Sequence, residues 1–164
     1  LRNKYCLSNL EDFSKKNSFH RLLWDHALEK DSNLIQLKIN EKIKKVILCS
    51  GKVYFDLLEA REKFKKNDVI LIRIEQIYPF PVKSLVKELK PFKKNAAFYW
   101  CQEEPKNMGA WSMVRDYIQW TLDFIKANNN QINYIGRNAA ASPATGYAKR
   151  HLAQQNDIIM KVFN

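Results

Sequence analysis

Two carboxylates stand side by side at Glu103-Glu104, directly after an apolar run. Paired carboxylates raise the prospect of general acid–base work. Neighbouring residues on a loop point apart, however, so the pair reads better as a loop anchor and a contact between domains. Ser50-Gly51-Lys52 follows another apolar run and opens onto a helical pattern. Free backbone N–H groups at a helix start favour anions, a lysine adds charge, and glycine lets the backbone approach a ligand. The same tripeptide also serves as a plain strand–helix turn, and both readings stay open. It is not a P-loop, which needs G-x-x-x-x-G-K-[ST]. Arg73 lies inside an apolar run, where a guanidinium needs a partner. Glu75, the Glu103–Glu104 pair or a ligand phosphate would serve. Trp111, Tyr117 and Trp120 recur at helical spacing, which favours core or interface over base stacking.

Other chemistry is missing from the sequence. It has no GxSxG elbow, no GxGxxG, no CxxC and no metal triad. Cys6, Cys49 and Cys101 are too few and too scattered for a disulfide framework, and His20, His26 and His151 do not space with them as zinc ligands do. Cys49 and Cys101 end adjacent strands, but nothing nearby argues for an activated thiolate. His151 reads as a structural histidine. No metal site and no catalytic residue is assigned.

The elements that must position these residues emerge from residue 45 onward. Lys45–Cys49 is a short β-branched run and reads as a buried strand. Val53, Leu57, Ala60 and Phe64 then line one face of a helix that breaks at Asn67-Asp68. Residues 69–74 are apolar almost throughout, as in a parallel strand covered on both faces. Tyr78-Pro79-Phe80-Pro81 is a rigid turn into a helix with Val82, Leu85, Val86 and Leu89 on its apolar side. Residues 96–101 form the next strand, 102–108 a polar loop, and Trp111, Val114, Ile118, Leu122 and Ile125 mark a long amphipathic helix. A strand over 132–135 stops at Gly136. Ser142 is expected to cap a last helix with Pro143 at its first position and Leu152, Ile159 and Val162 on its buried side. In residues 1–43, Leu34–Ile39 reads either as a short strand or as an extended packing arm. Strand–helix alternation of this kind means a parallel sheet with helices on both faces. Ligands in such a sheet bind beyond the carboxyl ends of the strands, which draws Ser50–Lys52, Glu75-Gln76, Gln102–Pro105 and Gly136-Arg137 to one edge.

The 164 residues suit one domain, with 46% hydrophobic and 27% charged residues, the balance of a globular chain. No apolar run reaches the length of a membrane span. The reading is of a soluble, intracellular chain and of a piece of a longer one. The formal net charge of +11 invites a nucleic-acid reading. The lysines are scattered over nearly every segment, however, which favours a solvated surface able to attract nucleotides or coenzyme A.

At the same loops a family resemblance appears. Ser50-Gly51-Lys52-Val53-Tyr54-Phe55-Asp56-Leu57, the stretch Arg73 to Pro81, the stretch Trp100 to Trp111, and Gly136-Arg137 through Ala141-Ser142-Pro143-Ala144 to His151 resemble, in order, the C-terminal part of the 2-oxoglutarate dehydrogenase decarboxylase component. The resemblance covers about residues 44–160. It implies an α/β three-layer sandwich like the transketolase C-terminal domain, with a mostly parallel five-stranded sheet whose fifth strand lies within residues 1–43. It divides the chain into a lead-in over 1–43 and a domain over 44–164. It implies a parent enzyme that decarboxylates 2-oxoglutarate oxidatively and passes the succinyl group to a lipoyl group in the tricarboxylic acid cycle. That enzyme uses thiamine diphosphate and magnesium, held by segments outside this chain, so this chain alone is expected to be inactive. The resemblance further implies a homodimer, partnership with the remainder of the enzyme and with the dihydrolipoyl succinyltransferase component, and a place in the bacterial cytoplasm or the mitochondrial matrix. It implies an allosteric AMP or acetyl-CoA site with Ser50, Lys52, Arg73, Gln102 and Arg137 as its residues, and Glu103, Glu104 and Trp111 at an interface. Phe55, Met108, Asn138 and Ala140 depart from the family's usual tyrosine, glutamine, proline and serine. The last two bear on the loop after Arg137 and hence on the effector site. Three other readings stand beside this one: a stand-alone adenine-nucleotide or acyl-CoA module, a basic nucleic-acid binder, and a pyruvate or branched-chain dehydrogenase subunit.

Overall fold

The computed structural model describes residues 6–7, 10–14, 18–29 and 32–164; the rest of the 1–43 lead-in lies outside the described residues. Five strands and four helices carry the fold. They are β1 (Leu22–Leu23), β2 (Lys45–Cys49), α1 (Val53–Phe64), β3 (Val69–Ile74), α2 (Val82–Leu89), β4 (Ala97–Pro105), α3 (Trp111–Phe124), β5 (Ile132–Arg137) and α4 (Ala148–Phe163). The sheet order is β1-β3-β2-β4-β5. β2 through β5 run parallel, and β1 pairs antiparallel with β3 through Leu22–Ile74 and Leu23–Arg73.

Strand alternation sorts the core into two halves. Val46, Leu48, Ile70, Ile72, Phe98 and Trp100 face α2 and α3, where Leu85, Leu89, Val114, Ile118 and Leu122 cover them. Ile47, Cys49, Leu71, Cys101 and Ile135 face α1 and α4, beneath Leu57, Leu58, Ile158 and Val162. Both faces of the central strands are therefore dry, which is why their sequences read as continuous apolar runs.

The lead-in is built into this domain. Asp25 and Arg61 are fully buried and form an ion pair. The Asp25 carboxylate accepts from Arg61 Nη2 at 2.8 Å, from Leu71 N at 2.9 Å and from Ala27 N at 3.0 Å. β1 is only two residues long and pairs with the end of β3, so the Leu71 amide would otherwise point from a buried edge with no partner. Asp25 supplies that partner. Leu34–Ile39 is not a strand but an extended arm, tied to α1 by Ile35 N donating to Glu62 Oε2 at 2.8 Å.

Three expected boundaries are corrected. β4 continues through Gln102–Pro105 instead of ending at Cys101, because β5 continues through Gly136 to Arg137 and pairs with it, across an irregularity, at Pro105. Gly136 belongs inside this strand: a Cβ there would collide with Tyr134 Oη and lie 2.9 Å from the Gln102 carbonyl. The last helix begins at Ala148, not at Ser142-Pro143, and the Ser142 hydroxyl donates to Ala144 O instead of capping a helix. Leu152 is 62% exposed, because the first turns of α4 overhang the strand ends; Gln155, Ile158, Val162 and Phe163 form the buried side.

Candidate functional site

The carboxyl edge of the parallel strands carries a row of charged side chains on its α1/α4 side. At the β3 end stands Arg73, aligned with Cys49 of β2, which in turn aligns with Cys101 of β4 and so with Ile135 of β5. Three strand spacings separate β3 from β5, about 14 Å across the edge. Arg137 closes the row at the far end.

Arg73 is mostly buried. Its guanidinium lies over the Tyr54 ring at 4.4 Å and the Phe55 ring at 5.3 Å, both supplied by the first turn of α1. Glu75 is its ion-pair partner at 3.7 Å, and His26 Nε2 lies 3.3 Å from its Nη2. Of the partners proposed from the sequence, Glu75 is the one present. Arg73 Nε is buried and has no hydrogen-bond partner among the described residues. Burial chiefly, aided by the nearby Arg73 and Arg61 charges and opposed by Glu29 and Asp25, holds the His26 pKa below the ordinary value. Arg73, His26, His20, Trp24 and Glu29 line a cavity of about 650 Å³, a volume within the range of small-ligand pockets.

Lys52 occupies the middle of the row. The αL conformation of Gly51, with φ 71°, turns the chain from β2 into α1 there. Lys52 Nζ lies 2.9 Å from Asp56 and 2.9 Å from Glu103. Burial opposes its charge, but the hydrogen bonds to Glu103 and Asp56 and the negative charges of both together outweigh burial and raise its pKa. Gln155 Nε2 donates to the same two carboxylates, at 2.9 and 3.0 Å, and binds α4 to the row. Ser50 sits half-buried at the turn. Arg137 Nη2 donates to His151 Nδ1 at 3.0 Å and meets Gln155 Oε1 at 3.4 Å, while its Nε is buried without a partner.

Gln102 does not join this row. It turns to the α2/α3 side, where its Oε1 accepts from Trp100 Nε1 at 2.9 Å and from Trp111 N at 3.0 Å. Its Nε2 donates to the carbonyls of Glu104, Pro105 and Met108. All its hydrogen-bonding capacity is used inside the fold, so it shapes the loop and has nothing left for a ligand. Trp111 is likewise core, packed against Tyr134 at 5.1 Å. Glu103 lies in the row, and Glu104 is exposed. The Cys49 and Cys101 thiols are buried and their pKa values pushed up, Cys101 to about 12, chiefly by burial.

A model of the 2-oxoglutarate dehydrogenase C-terminal family matches residues 7–163. The chain belongs to that family. It is 53% identical over 154 residues to the 2-oxoglutarate dehydrogenase E1 components of Brucella anthropi and Brucella ovis, covering 94% of this chain. The chain spans 15% of the length of those relatives. These matches do not favour the nucleic-acid, stand-alone or pyruvate-type readings. Among solved structures, an inactive β4 tetramer of a split-gene transketolase shares the fold at TM-score 0.51 and 15% identity, over 82% of this chain and 44% of the other. The transketolase-like sheet expected from the sequence is thus present.

The 2-oxoglutarate dehydrogenase C-terminal fold raises the question of thiamine diphosphate and magnesium. Among the described residues no group of three His, Cys, Asp or Glu side chains gathers to hold a metal ion. The carboxylates of the row, Asp56, Glu75 and Glu103, are each paired with a cation. The described residues do not fit a magnesium–diphosphate group, and no step is derived through one. Among the described residues, no helix is long and apolar enough to cross a membrane.

Proposed function

We propose that this chain serves as the C-terminal structural and regulatory domain of a 2-oxoglutarate dehydrogenase. The enzyme decarboxylates 2-oxoglutarate and transfers the succinyl group to lipoyl, using thiamine diphosphate and magnesium bound by other segments. It works as a homodimer beside the dihydrolipoyl succinyltransferase component, in the bacterial cytoplasm or, in a eukaryote, the mitochondrial matrix. The chain alone turns nothing over. The observation that carries the regulatory reading is the row Arg73–Lys52–Arg137, three cations on one strand-end edge, two of them with a buried Nε left unpaired. Guanidinium forks and a lysine suit a phosphate-bearing effector such as AMP or acetyl-CoA. The cavity beside Arg73 adds room for a ring next to Trp24. Ser50 remains in this site; Gln102 acts only by shaping the loop.

Isothermal titration of the chain with AMP and with acetyl-CoA, at low and moderate salt, tests this. Saturable binding that survives moderate salt and is lost in Arg73→Ala is expected. Glu103→Gln should tighten binding, because it removes a carboxylate that competes for Lys52. Binding that fades with salt alike for every polyanion would leave only a structural domain.

A further inference from the structure

α3 carries more apolar surface than the core uses. Its buried side is formed by Trp111, Val114, Ile118 and Leu122. A second stripe, Met113, Tyr117, Trp120 and Phe124, falls within an arc of about 60° beside it. These side chains are open to solvent, from 38% exposure at Met113 to 61% at Phe124. Trp120 and Phe124 stack on each other at 5.0 Å, and Tyr117 stacks on Phe80, just ahead of α2, also at 5.0 Å. The stripe therefore lies on the side of α3 that borders α2. The polar side of α3 turns the other way, toward β5, where Gln119 accepts from Ile132 N. Asp116 and Asp123 belong to that polar side and are engaged there, with Arg115 and with Gln119 and Asn130.

α2 faces the stripe with lysines. Its Ser84 and Glu88 line the cleft toward β1. By helical spacing the opposite flank, toward α3, holds Val86, Lys87 and Lys90, while Lys83, in the first turn, lines a cleft with Arg21, Gln76 and Phe80. The three lysines are exposed. Lys93 and Lys94 extend the wall to the end of α3, where their carbonyls accept from the Asn128 backbone and side chain. From Lys83 to Lys94 there are five lysines and one acidic residue, Glu88, which is on the far side. An apolar floor thus runs about 16 Å along α3, beside a cationic wall.

We propose that this α2–α3 groove docks an acidic amphipathic helix of a partner protein. A trough between two side-by-side helices receives a third helix whose apolar residues recur at i, i+3, i+4 and i+7. The lysine wall selects acidic residues on that helix's flank and disfavours basic ones. A second copy docking through the same groove is a poor occupant, since a two-fold contact would set the lysine wall of one copy against that of the other. The groove lies on the opposite face of the sheet from Arg73, Lys52 and Arg137, so this inference does not rest on the effector site.

The probe is a fluorescein-labelled peptide about as long as α3, with leucine at i, i+3, i+4 and i+7 and glutamate elsewhere, read by anisotropy against the 164-residue chain. Saturable binding is expected. It should weaken roughly tenfold or more for Trp120→Ala with Phe124→Ala, as for central aromatic anchors. Lys87→Glu with Lys90→Glu should abolish it, while Arg73→Ala leaves it unchanged. Trp120 and the lysines are exposed, so these variants are expected to fold, and their thermal melts check that. Several outcomes would overturn the proposal. One is equal affinity for a scrambled peptide of the same composition, or no saturable binding at all. Another is a Trp120-dependent dimer seen by light scattering. A third is Trp120-dependent binding to phosphatidylglycerol vesicles with none to the peptide.

Discussion

Asp25 and Gln102 are each a single side chain on which several backbone and side-chain groups converge. Removing the Asp25 carboxylate leaves the buried Arg61 with only the longer contacts to Glu62 at 3.6 Å and the Val69 carbonyl at 3.4 Å, and leaves Leu71 N–H without an acceptor. Breaking a buried pair from one side destabilises by about 3–5 kcal/mol. Asp25→Ala is expected to lose that much in urea unfolding, and a loss under about 1 kcal/mol would mean that water reaches Arg61. His26 gives a pH signature. Its pKa is lowered in the fold, so the unfolded chain takes up its proton first as pH falls. The stability it leaves intact is complete above the ordinary value of 6.5 and declines as pH drops from there toward the folded pKa. In His26→Gln, urea midpoints should lose that part of the decline; identical pH profiles for both chains would contradict it. None of this was legible in the sequence. Asp25 and Arg61 are 36 residues apart, and nothing local in either segment marks the other. Arg73, by contrast, announced itself as a charge inside an apolar run, and Glu75 was within view two residues away.

Elements with one clear period were readable; those shaped by a neighbour were not. β2 and β3 are covered on both faces, and α2 and α3 each show a clean core stripe, so composition and spacing sufficed. The end of β4 was hidden because its pairing is decided by β5. Gln102–Pro105 is polar and looks like a loop, but Arg137 supplies a partner for Pro105. Gly136→Ala tests that register, since a methyl group there meets Tyr134 and the Gln102 carbonyl. A loss of about 1–3 kcal/mol is expected from such overpacking, read as a lowered thermal midpoint. Ser142-Pro143 has the right residue types for a cap, but α4 starts only at Ala148, after a stretch that Ala140 ties to Asn107. Leu152→Gln should therefore shift stability by no more than about 0.5 kcal/mol, as at other exposed positions; a core-sized loss would restore Leu152 to the buried side.

At the scale of the whole molecule, the lead-in and the domain after it share one sheet and one core. β1 closes one edge, Ile43 is buried in the core, and Asp25 reaches under α1. A chain beginning at residue 44 would lose all three together. It is expected to show no cooperative thermal transition in circular dichroism, and a native-like melt from it would show that the lead-in is an accessory. The charge of +11 is likewise less uniform in effect than in sequence. On the α1/α4 side the cations are answered by Asp56, Glu75 and Glu103, whereas the lysines of α2 have no carboxylate partner among the described residues. Counting lysines along the chain could not distinguish these two situations, because only the fold decides which carboxylates come within reach.

The Asp25–Arg61 pair also constrains how this domain can change by descent. Replacing either residue alone passes through a form in which a buried charge has lost its nearest countercharge. Exchanging the two is no neutral path either, since an arginine at 25 could not accept from the Leu71 amide as the aspartate does. The two positions are therefore bound to vary together, and only along routes that also give β3 a new acceptor. A lineage that once acquired this arrangement would find it far easier to keep than to leave.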